Sequence, residues 1–380
     1  MAYILNAGGN QLYLTQLLIA VMANVLYIGD SSSSATSGHR ANALKRLGHE
    51  VVIRDPYIVF AKPLNSRWFG PIHYRTGYRL LQRRIAKWTT NLVRTLPKPD
   101  VVWVDSGELL GPTCLAALRK FGCPIVLYNV DDPTGKRDGR RFDMVIKSLQ
   151  AYDCVVVVRR ETEEECRRLG AQRVIRVLRS YDEEAHKPYV YTKDVPSKYV
   201  SEVVFIGTWM RHEKRDEFLL ELLNQGVPLS IWGDRWKKSP NWAALEAVYC
   251  GGALGGRDYV AAIQGAKLCL GLLSKGNRDL HTQRSLEVPF AGGLLCAERT
   301  TEHQEIYEEG KEAVFGLMLR SVPPSAKRCS PMTHSGKASD WPVWSGCGPL
   351  EWATRTSAAV FWPKYFSTSW PEQLYAYRIL

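Results

Sequence analysis

The sequence predicts an α/β protein with two successive domains, each built on a parallel sheet that helices cover on both faces. From residue 24 onward, short β-branched runs alternate with amphipathic stretches, which is the pattern of strands joined by crossover helices. This rhythm stops in a polar, proline-containing stretch and then starts again, as expected for two domains joined by a linker. A chain of 380 residues is long enough for both.

The strands expected in the first domain are short and mostly apolar on both faces, as is typical of buried parallel strands. They lie at 25–28, 51–54, 101–105, 125–128, 154–158 and 174–178, with helices at 40–47, 76–96, 109–121 and 161–169. In the second domain we expect strands at 203–206, 229–232, 268–272, 293–296 and 313–315, with helices at 213–224, 258–264 and 284–290. Two Rossmann-like domains facing a cleft are therefore predicted, and a ligand should bind between them at the carboxyl ends of the strands.

The places where this rhythm starts and stops give the expected domain boundaries. They are 1–21 for a spurious N-terminal extension, 22–187 for the N-terminal Rossmann-like domain, 188–200 for the linker and 201–315 for the C-terminal Rossmann-like domain. The apolar stretch 12–28 is not expected to be a signal peptide or a transmembrane segment, because Thr15 and Gln16 interrupt it and no positive residue precedes it. We interpret Met22 as the natural start.

Charge and cysteine content narrow the class of partner and the compartment. The chain has 50 Lys and Arg against 38 Asp and Glu, but these basic residues are scattered without a run of five, so a nucleic-acid partner is not predicted. The nine cysteines include no Cys-x-x-Cys pair and none at zinc-site spacing from a His. We therefore expect reduced, mostly buried thiols, no metal site and a cytoplasmic location. A peripheral position at the inner membrane face stays open.

A polar segment after the first predicted strand could bind a ligand. Residues 29–38 are rich in Gly and Ser and lead into a helix, so backbone amides and hydroxyls could bind an anion or a sugar. The segment has neither the dinucleotide fingerprint nor a Gly-Lys-Ser/Thr motif, and no NAD or ATP site is predicted. A flexible loop with a helix N-cap is the alternative. His39, just after it, is a candidate catalytic residue or a surface residue.

A basic turn follows the first strand of the second domain. Gly207 leaves the strand, and Arg211, Lys214 and Arg215 stand near the start of the next helix. Helix-start amides and two or three cations would neutralise a diphosphate there and would stabilise a leaving nucleotide. The alternative is an ordinary basic first helical turn.

The segment around residue 284 is the most informative. Arg284 and Glu287 stand three residues apart on one face of a short helix that ends at Gly292 and Gly293. A carboxylate in this position can accept hydrogen bonds from both hydroxyls of a ribose. The alternative is a solvent-exposed ion pair, worth only about 0.3 to 0.5 kcal/mol.

At these segments the sequence resembles the glycosyltransferase domain of spore-maturation CgeB-like proteins, which are relatives of the family 4 GT-B glycosyltransferases. The matching stretches are Phe205-Ile-Gly-Thr-Trp209 with Arg211 and Arg215, 229–233 with Trp236, Arg284-x-x-Glu287 through Gly293, 298–303, 308–313, and Tyr181-Asp182 to His186-x-Pro188. The resemblance covers roughly residues 23–315.

The resemblance implies a transferase of the GT-B architecture that moves a hexose-like sugar from a nucleotide-diphosphate donor to an acceptor. The N-terminal domain would bind the acceptor, which is a glycan, a lipid-linked sugar or a protein, and the C-terminal domain would bind the nucleotide sugar. This donor is a substrate, so no cofactor is expected. Family membership implies retention of anomeric configuration, and the lack of an Asp-x-Asp motif agrees with a metal-independent site.

The resemblance also implies roles for single residues at the donor site. The family has a Glu, seven residues and a second Glu there, and in this chain Asp279 takes the first position and Glu287 the second. Glu287 would hold the ribose, and Arg211, or Lys214 or Arg215, would bind the diphosphate. Arg284 and Gly292 belong to the same nucleotide-sugar segment.

Asp132 is the second catalytic candidate, beside His39. It lies in an Asp-Asp-Pro turn after a first-domain strand, where such enzymes often place a carboxylate or histidine that faces the sugar; an ordinary loop turn is the alternative. Two other functions would retain the donor site. They are a nucleotide-sugar epimerase of the same architecture and a non-catalytic nucleotide-sugar-binding protein.

The composition changes abruptly near residue 316. Residues 316–380 hold five of the 12 Trp, and their acidic residues are only Asp340, Glu351 and Glu372. They show neither helical nor strand periodicity. We interpret 316–380 as the product of a shifted reading frame that impairs the enzyme, and we expect a single insertion or deletion near codon 316 of the gene to restore a helical C-terminus.

Overall fold

A computed structural model describes residues 22–32, 35–135 and 137–316 of the chain. These residues form two six-stranded sheets in which every strand pairing is parallel. The predicted α/β class, with two Rossmann-like domains facing a cleft, is confirmed. The interpretation of 1–21 falls outside the described residues, and so does that of 316–380 except for Gly316, which ends a strand of the second sheet.

The first sheet has the strand order β2-β1-β3-β4-β5-β6. Its strands are β1 (Asn24–Ile28), β2 (Glu50–Arg54), β3 (Val101–Asp105), β4 (Ile125–Tyr128), β5 (Cys154–Val157) and β6 (Val174–Arg176). All residues of β3, β4 and β5 are buried, because helices cover both faces of a parallel sheet. The six strands predicted for this domain are all present, within one or two residues.

The helices of the first domain differ more from expectation. They are α1 (Thr36–Arg46), α2 (Pro56–Val59), α3 (Ala61–Leu64), α4 (Phe69–Arg75), α5 (Gln82–Thr95), α6 (Pro112–Leu118), α7 (Asp143–Ser148) and α8 (Arg160–Arg168). The long helix predicted from 76 begins only at Gln82, because Gly77 and Tyr78 take left-handed φ angles of 60° and 56°. Helices α2, α3, α4 and α7 were not predicted, since four to seven residues are too few for a clear helical period.

The second sheet has the strand order β12-β11-β10-β7-β8-β9. Its strands are β7 (Ser201–Ile206), β8 (Leu229–Trp232), β9 (Tyr249–Gly251), β10 (Ala266–Gly271), β11 (Leu295–Glu298) and β12 (Val314–Gly316). Its helices are α9 (Arg215–Asn224), α10 (Trp242–Leu245), α11 (Gly256–Gln264), α12 (Arg284–Phe290) and α13 (Thr301–Ile306). Strand β9 was not predicted, because it has only three residues, lies at the sheet edge and has little apolar character.

The predicted linker packs against the second domain. Val195 and Tyr199 are buried there, and the Tyr189 amide donates to Oε1 of Gln264 at 2.7 Å. None of the helices in the described part of the chain is both long and apolar enough to cross a membrane. The described cysteines are free thiols, and all but Cys250 are buried.

Candidate active site

The strand order reverses once in each sheet. The reversal lies between β1 and β3 in the first sheet and between β7 and β10 in the second, and α/β sheets bind ligands at such points. Gly29 follows β1 and Gly207 follows β7. Segments that leave the strands at this edge form ion pairs between the two domains, such as Arg159–Asp279 and Arg278–Asp132.

A cavity of about 300 Å³ lies between the two domains. The first domain contributes the start of α1, the second contributes the starts of α11 and α12, and the connecting segment closes one side. The lining residues are Thr36, His39, Ala185, His186, Leu254, Gly255, Gly256, Tyr259, Gln283, Arg284 and Glu287. Three side chains selected from the sequence, His39, Arg284 and Glu287, are thus brought together across the cleft.

Glu287 is a buried carboxylate in this cavity, with 7% of its surface exposed. Its Oε2 accepts a hydrogen bond from the Tyr259 hydroxyl at 2.6 Å, and its Oε1 lies 3.3 Å from Nε2 of His186. Burial, and then the charge of Glu287, hold the pKa of Tyr259 well above its ordinary value, so the phenol remains a hydrogen-bond donor. The alternative of a solvent-exposed pair with Arg284 is therefore wrong.

The His186 ring lies between His39 and Glu287. His39 lies in the first turn of α1, and its imidazole meets that of His186 edge to face, with 5.5 Å between ring centroids. His186 in turn contacts Tyr259 edge to face at 6.0 Å. This places His39 on the first-domain wall of the cavity.

Arginine side chains with little compensating charge converge beside the cavity. The pKa of Arg215 is lowered by burial, against the opposing effect of Glu213, and the nearby charges of Arg284 and Arg137 lower it further. The Nε atoms of Arg215 and Arg284 are buried, and neither has a hydrogen-bond partner within the described residues. Such groups gain energy when an anion with several oxygen acceptors binds them.

The structure distinguishes Arg215 from the other two basic candidates. Nη1 of Arg215 donates to the Thr208 carbonyl at 3.0 Å, so the side chain lies across the end of β7. Arg211 is exposed, and Lys214 pairs with Glu217 at 3.4 Å with three quarters of its side chain in solvent. The charges of Arg284 and Asp279 both act on the Arg215 guanidinium.

Arg215 also lines a second cavity, of about 270 Å³, on the second domain alone. Apolar side chains of α9, β10 and β11, including Phe218, Leu270 and Ala297, make up much of its wall. It reaches Gly316, the last described residue. Arg215 therefore stands between this apolar cavity and the charged cleft.

Asp279 forms ion pairs across the domain boundary. Its carboxylate pairs with Arg159 and lies 3.3 Å from Nη2 of Arg179. Burial, and then the charge of Arg179, lower the pKa of Arg159. The Nε atoms of both arginines are buried without a partner in the described part of the chain, so a single carboxylate serves two arginines at the edge of the cleft.

Asp132 also forms an ion pair between the domains. Arg278 donates to both of its oxygens at 2.7 Å, and Thr162 donates to Oδ1 at 3.0 Å. Burial alone would raise the pKa of Asp132, but the hydrogen bonds and the charge of Arg278 outweigh it and lower that pKa. The neighbouring Asp131 keeps 27% of its side chain exposed and lies 3.5 Å from Arg141.

The two candidate glycines have different surroundings. A Cβ on Gly207 would lie 2.7 Å from the buried Phe205 ring, so a larger residue there would displace that ring. The Gly207 carbonyl accepts a hydrogen bond from Trp236 at 2.8 Å. Gly292 has a φ of 85° and terminates α12, at the opposite end of that helix from Arg284. Its geometry is that of a helix C-terminus.

Sequence reasoning missed two buried polar clusters at the same edge of the first sheet. In one, Asp105 pairs with Arg40 and accepts a hydrogen bond from the Tyr27 hydroxyl at 2.7 Å. In the other, Glu108 pairs with Arg141, and burial raises the pKa of that carboxyl. Their position in the sequence could have identified Asp105 and Glu108, because acidic residues at the carboxyl end of an apolar strand lie at the ligand-binding edge of the sheet.

Comparisons with known proteins agree with this architecture. Residues 211–322 match the model of a family described as glycosyl transferase-like. AviGT4, a glycosyltransferase involved in avilamycin A biosynthesis, superposes with a TM-score of 0.53 at 14% identity, over 90% of this chain and 97% of that one. HepE of Anabaena, solved with UDP and glucose, gives 0.55 at 12% identity, over 89% and 98%. No curated protein matches the sequence.

A Listeria monocytogenes protein described as a putative UDP-N-acetylglucosamine 2-epimerase also superposes, with a TM-score of 0.52 at 11% identity over 92% of this chain and 98% of that one. At such identities the likeness shows the fold alone. The match at residues 211–322 adds a likeness of the second domain to the family described as glycosyl transferase-like.

Proposed function

We propose that this glycosyltransferase of the GT-B architecture transfers a hexose-like sugar from a nucleoside-diphosphate donor, held on its second domain, to an acceptor held on its first. The observation that carries the proposal is the convergence of Arg215 and Arg284, whose buried Nε groups have no partner within the described residues, beside the buried carboxylate of Glu287. Cations and a ribose-binding carboxylate at a strand-order reversal are what a nucleoside diphosphate requires.

The proposed donor pose follows from the cavity walls. The Glu287 carboxylate accepts hydrogen bonds from the ribose hydroxyls. Its contacts with the Tyr259 hydroxyl and with His186 hold the carboxylate in place. The base lies against Leu254 and the backbone of Gly255 and Gly256. From this position the diphosphate extends toward Arg284 and Arg215.

Bond breaking then depends on charge. When the sugar–phosphate bond breaks, negative charge develops on the departing diphosphate, and fixed guanidinium groups stabilise that charge more than they stabilise the bound ground state. Burial, and after it the charges of Arg284 and Arg137, lower the pKa of Arg215, and the same anion would relieve the repulsion among these arginines. This account requires no metal, and the retention of configuration rests on the resemblance to the CgeB-like proteins.

The first domain supplies the other wall of the proposed site. His39, which reaches the cavity from α1, is proposed to contact the donor sugar or the diphosphate. Asp132 is proposed to act as a positioning residue, since its pair with Arg278 fixes the segment that carries Asp279. Direct contact between Asp132 and the sugar is the alternative.

An epimerase has the same fold, and the likeness to the Listeria protein favours it as the second candidate. Incubation of the pure chain with radiolabelled nucleotide sugars separates the possibilities. Transfer to an acceptor or slow release of free sugar supports the transferase, interconversion of the donor sugar supports the epimerase, and binding without either supports a binding protein. Arg215→Ala should abolish turnover, whereas Arg211→Ala, with the same change in charge at an exposed position, should not.

A thermal-shift screen of nucleoside diphosphates would identify the base. A ligand present at about 100 times its dissociation constant adds about 2.7 kcal/mol to the free energy of unfolding. The matching nucleoside without phosphates should shift the transition much less, because the arginines would then have no anion to bind.

A further inference from the structure

The first domain has a surface segment of exceptional charge. Residues 56–99 contain nine Lys and Arg and no Asp or Glu, whereas the rest of the chain is nearly balanced with 41 basic and 38 acidic residues. All nine basic residues are exposed, namely Lys62, Arg67, Arg75, Arg79, Arg83, Arg84, Lys87, Arg94 and Lys98. Most of the net charge of the protein therefore lies on one segment.

The same segment exposes large apolar side chains. Trp68 is 74% exposed, and Ile58, Val59, Phe69, Ile72, Tyr74 and Leu80 are between 39% and 69% exposed. These seven are more than half of the large hydrophobic residues exposed in the described ranges. Single exposed apolar residues need no explanation, but a cluster of this kind marks an interaction surface.

The local structure holds these side chains in place. Ile72 lies three residues after Phe69 and four after Trp68, the N-cap residue of α4, so Ile72 shares a face of that helix with both. A Cβ on Gly70 would lie 2.4 Å from the Leu64 carbonyl, which shows how tightly α4 packs against α3. Beneath them, Phe60 and Leu81 are part of the domain core.

We propose that the exposed side chains of residues 58–84, the α2–α4 face, dock this protein on an anionic membrane surface. Aliphatic and aromatic side chains enter the boundary between headgroups and acyl chains, while the surrounding Lys and Arg bind acidic headgroups. Arg67 lies over the Trp68 ring at 5.6 Å, so charge and ring can enter the interface together. A nucleic acid would use the cations and the aromatic rings but would leave Ile58, Val59, Ile72 and Leu80 in water.

The α2–α4 face adjoins the first-domain side of the cleft. The Tyr57 hydroxyl donates to Oε1 of Glu108 at 3.1 Å, and the Tyr74 hydroxyl donates to Oδ1 of Asp138 at 3.4 Å. Glu108 follows β3 at the ligand-binding edge of the first sheet. A docked enzyme would hold this edge next to the lipid. This position would favour an acceptor that is carried by the membrane. The acceptor class rests on the proposed function, whereas docking itself does not.

Vesicle flotation with the full chain tests the docking. We expect the protein to float with vesicles of phosphatidylcholine and phosphatidylglycerol, to float far less with phosphatidylcholine alone, and to be released by salt. Trp68→Ser combined with Phe69→Ser should weaken binding by about tenfold or more. Arg67→Gln combined with Arg83→Gln should weaken it by about twentyfold at low salt. Lys237→Gln combined with Lys238→Gln removes the same charge from an exposed site on the second domain and should have little effect.

Three outcomes would overturn the docking proposal. They are no binding to the anionic vesicles, equal binding by all three double variants, or binding of a single-stranded oligonucleotide through the α2–α4 face without binding of vesicles. The thermal shift with nucleoside diphosphates is measured on the same preparations. A thermal shift without flotation would contradict only the docking proposal. Flotation without a thermal shift would contradict only the proposed donor site.

Discussion

The guanidinium of Arg278 in the second domain donates to both carboxylate oxygens of Asp132 in the first, each at 2.7 Å. The same guanidinium also pairs with Glu165 at 2.8 Å. Arg278 takes a left-handed φ of 54° and immediately precedes Asp279, so this ion pair fixes the backbone from which Asp279 reaches Arg159 and Arg179. Two carboxylates, one on each domain, thus hold the cleft through arginines of the opposite domain.

A double-mutant cycle on this pair would decide how Asp132 acts. We expect Asp132→Asn and Arg278→Gln each to lower the free energy of unfolding by about 1 to 3 kcal/mol, and the double variant to lose little more than either, because partners in one pair are coupled. Turnover should fall by a similar factor in all three. If Asp132→Asn loses far more turnover than Arg278→Gln at similar stability, Asp132 works on the substrate and the positioning role is wrong.

The pH dependence of stability provides a separate check on the same pair. The folded-state pKa of Asp132 is lowered, so its contribution is fully present above the unfolded-state pKa of about 3.9 and is lost as pH falls through the folded-state value. The difference in unfolding free energy between wild type and Asp132→Asn should therefore be constant near neutral pH and shrink below about pH 4. Glu246→Gln, at an exposed position, is the control and should show a small difference throughout. A difference that grows on acidification would contradict the ion-pair assignment.

The parallel sheets were predictable because their strands are apolar on both faces and are separated by clear turn signals. Every predicted strand is found, and only β9, with one exposed Cys and two partly exposed residues, gave no signal. The short helices α2, α3 and α4 were not predicted for the opposite reason. These helices are stabilised by packing of Phe60 and neighbouring residues in the core. Four to seven residues are too few for a helical period to reveal such tertiary contacts in the sequence.

The candidate site was predictable only in part. The spacing of Arg284 and Glu287 predicted that they share one helix. The burial of Glu287 could not be predicted in the same way, because its partners Tyr259 and His186 lie 28 and about 100 residues away along the chain. The choice among Arg211, Lys214 and Arg215 depends on which side chain turns inward at the start of α9. Residues this close in sequence carry the same signal, so only the fold distinguishes them.

The inward position of Arg215 gives a prediction with a matched control. Arg215→Ala should weaken binding of a nucleoside diphosphate by about tenfold or more while changing binding of the unphosphorylated nucleoside little, since its partner would be phosphate. Arg211→Ala should change both affinities by less than about threefold, because the side chain is exposed. Titration calorimetry with the two ligands measures this. Equal losses for both ligands in Arg215→Ala would indicate a folding defect, and a larger loss in Arg211→Ala would transfer the diphosphate role to Arg211.

The last prediction concerns Glu287, which accepts the Tyr259 hydroxyl at 2.6 Å and lies 3.3 Å from His186. Glu287→Gln keeps the size of the side chain but replaces a charged acceptor with a neutral amide. Ribose hydroxyls bonded to a charged group should lose about 1.5 to 3 kcal/mol of binding free energy, equivalent to roughly tenfold to a hundredfold in affinity.

A 2′,3′-dideoxynucleoside diphosphate separates this role from a structural one. If Glu287 binds the ribose, the dideoxy ligand should bind wild type and Glu287→Gln with similar affinity, whereas the normal ligand should bind wild type more tightly. Tyr259→Phe is the companion variant, since it removes the donor to Oε2 while leaving the carboxylate charged, and it should weaken both ligands by a smaller and similar factor. An undiminished preference of Glu287→Gln for the normal ligand would show that the carboxylate holds the cavity together and does not contact the ribose.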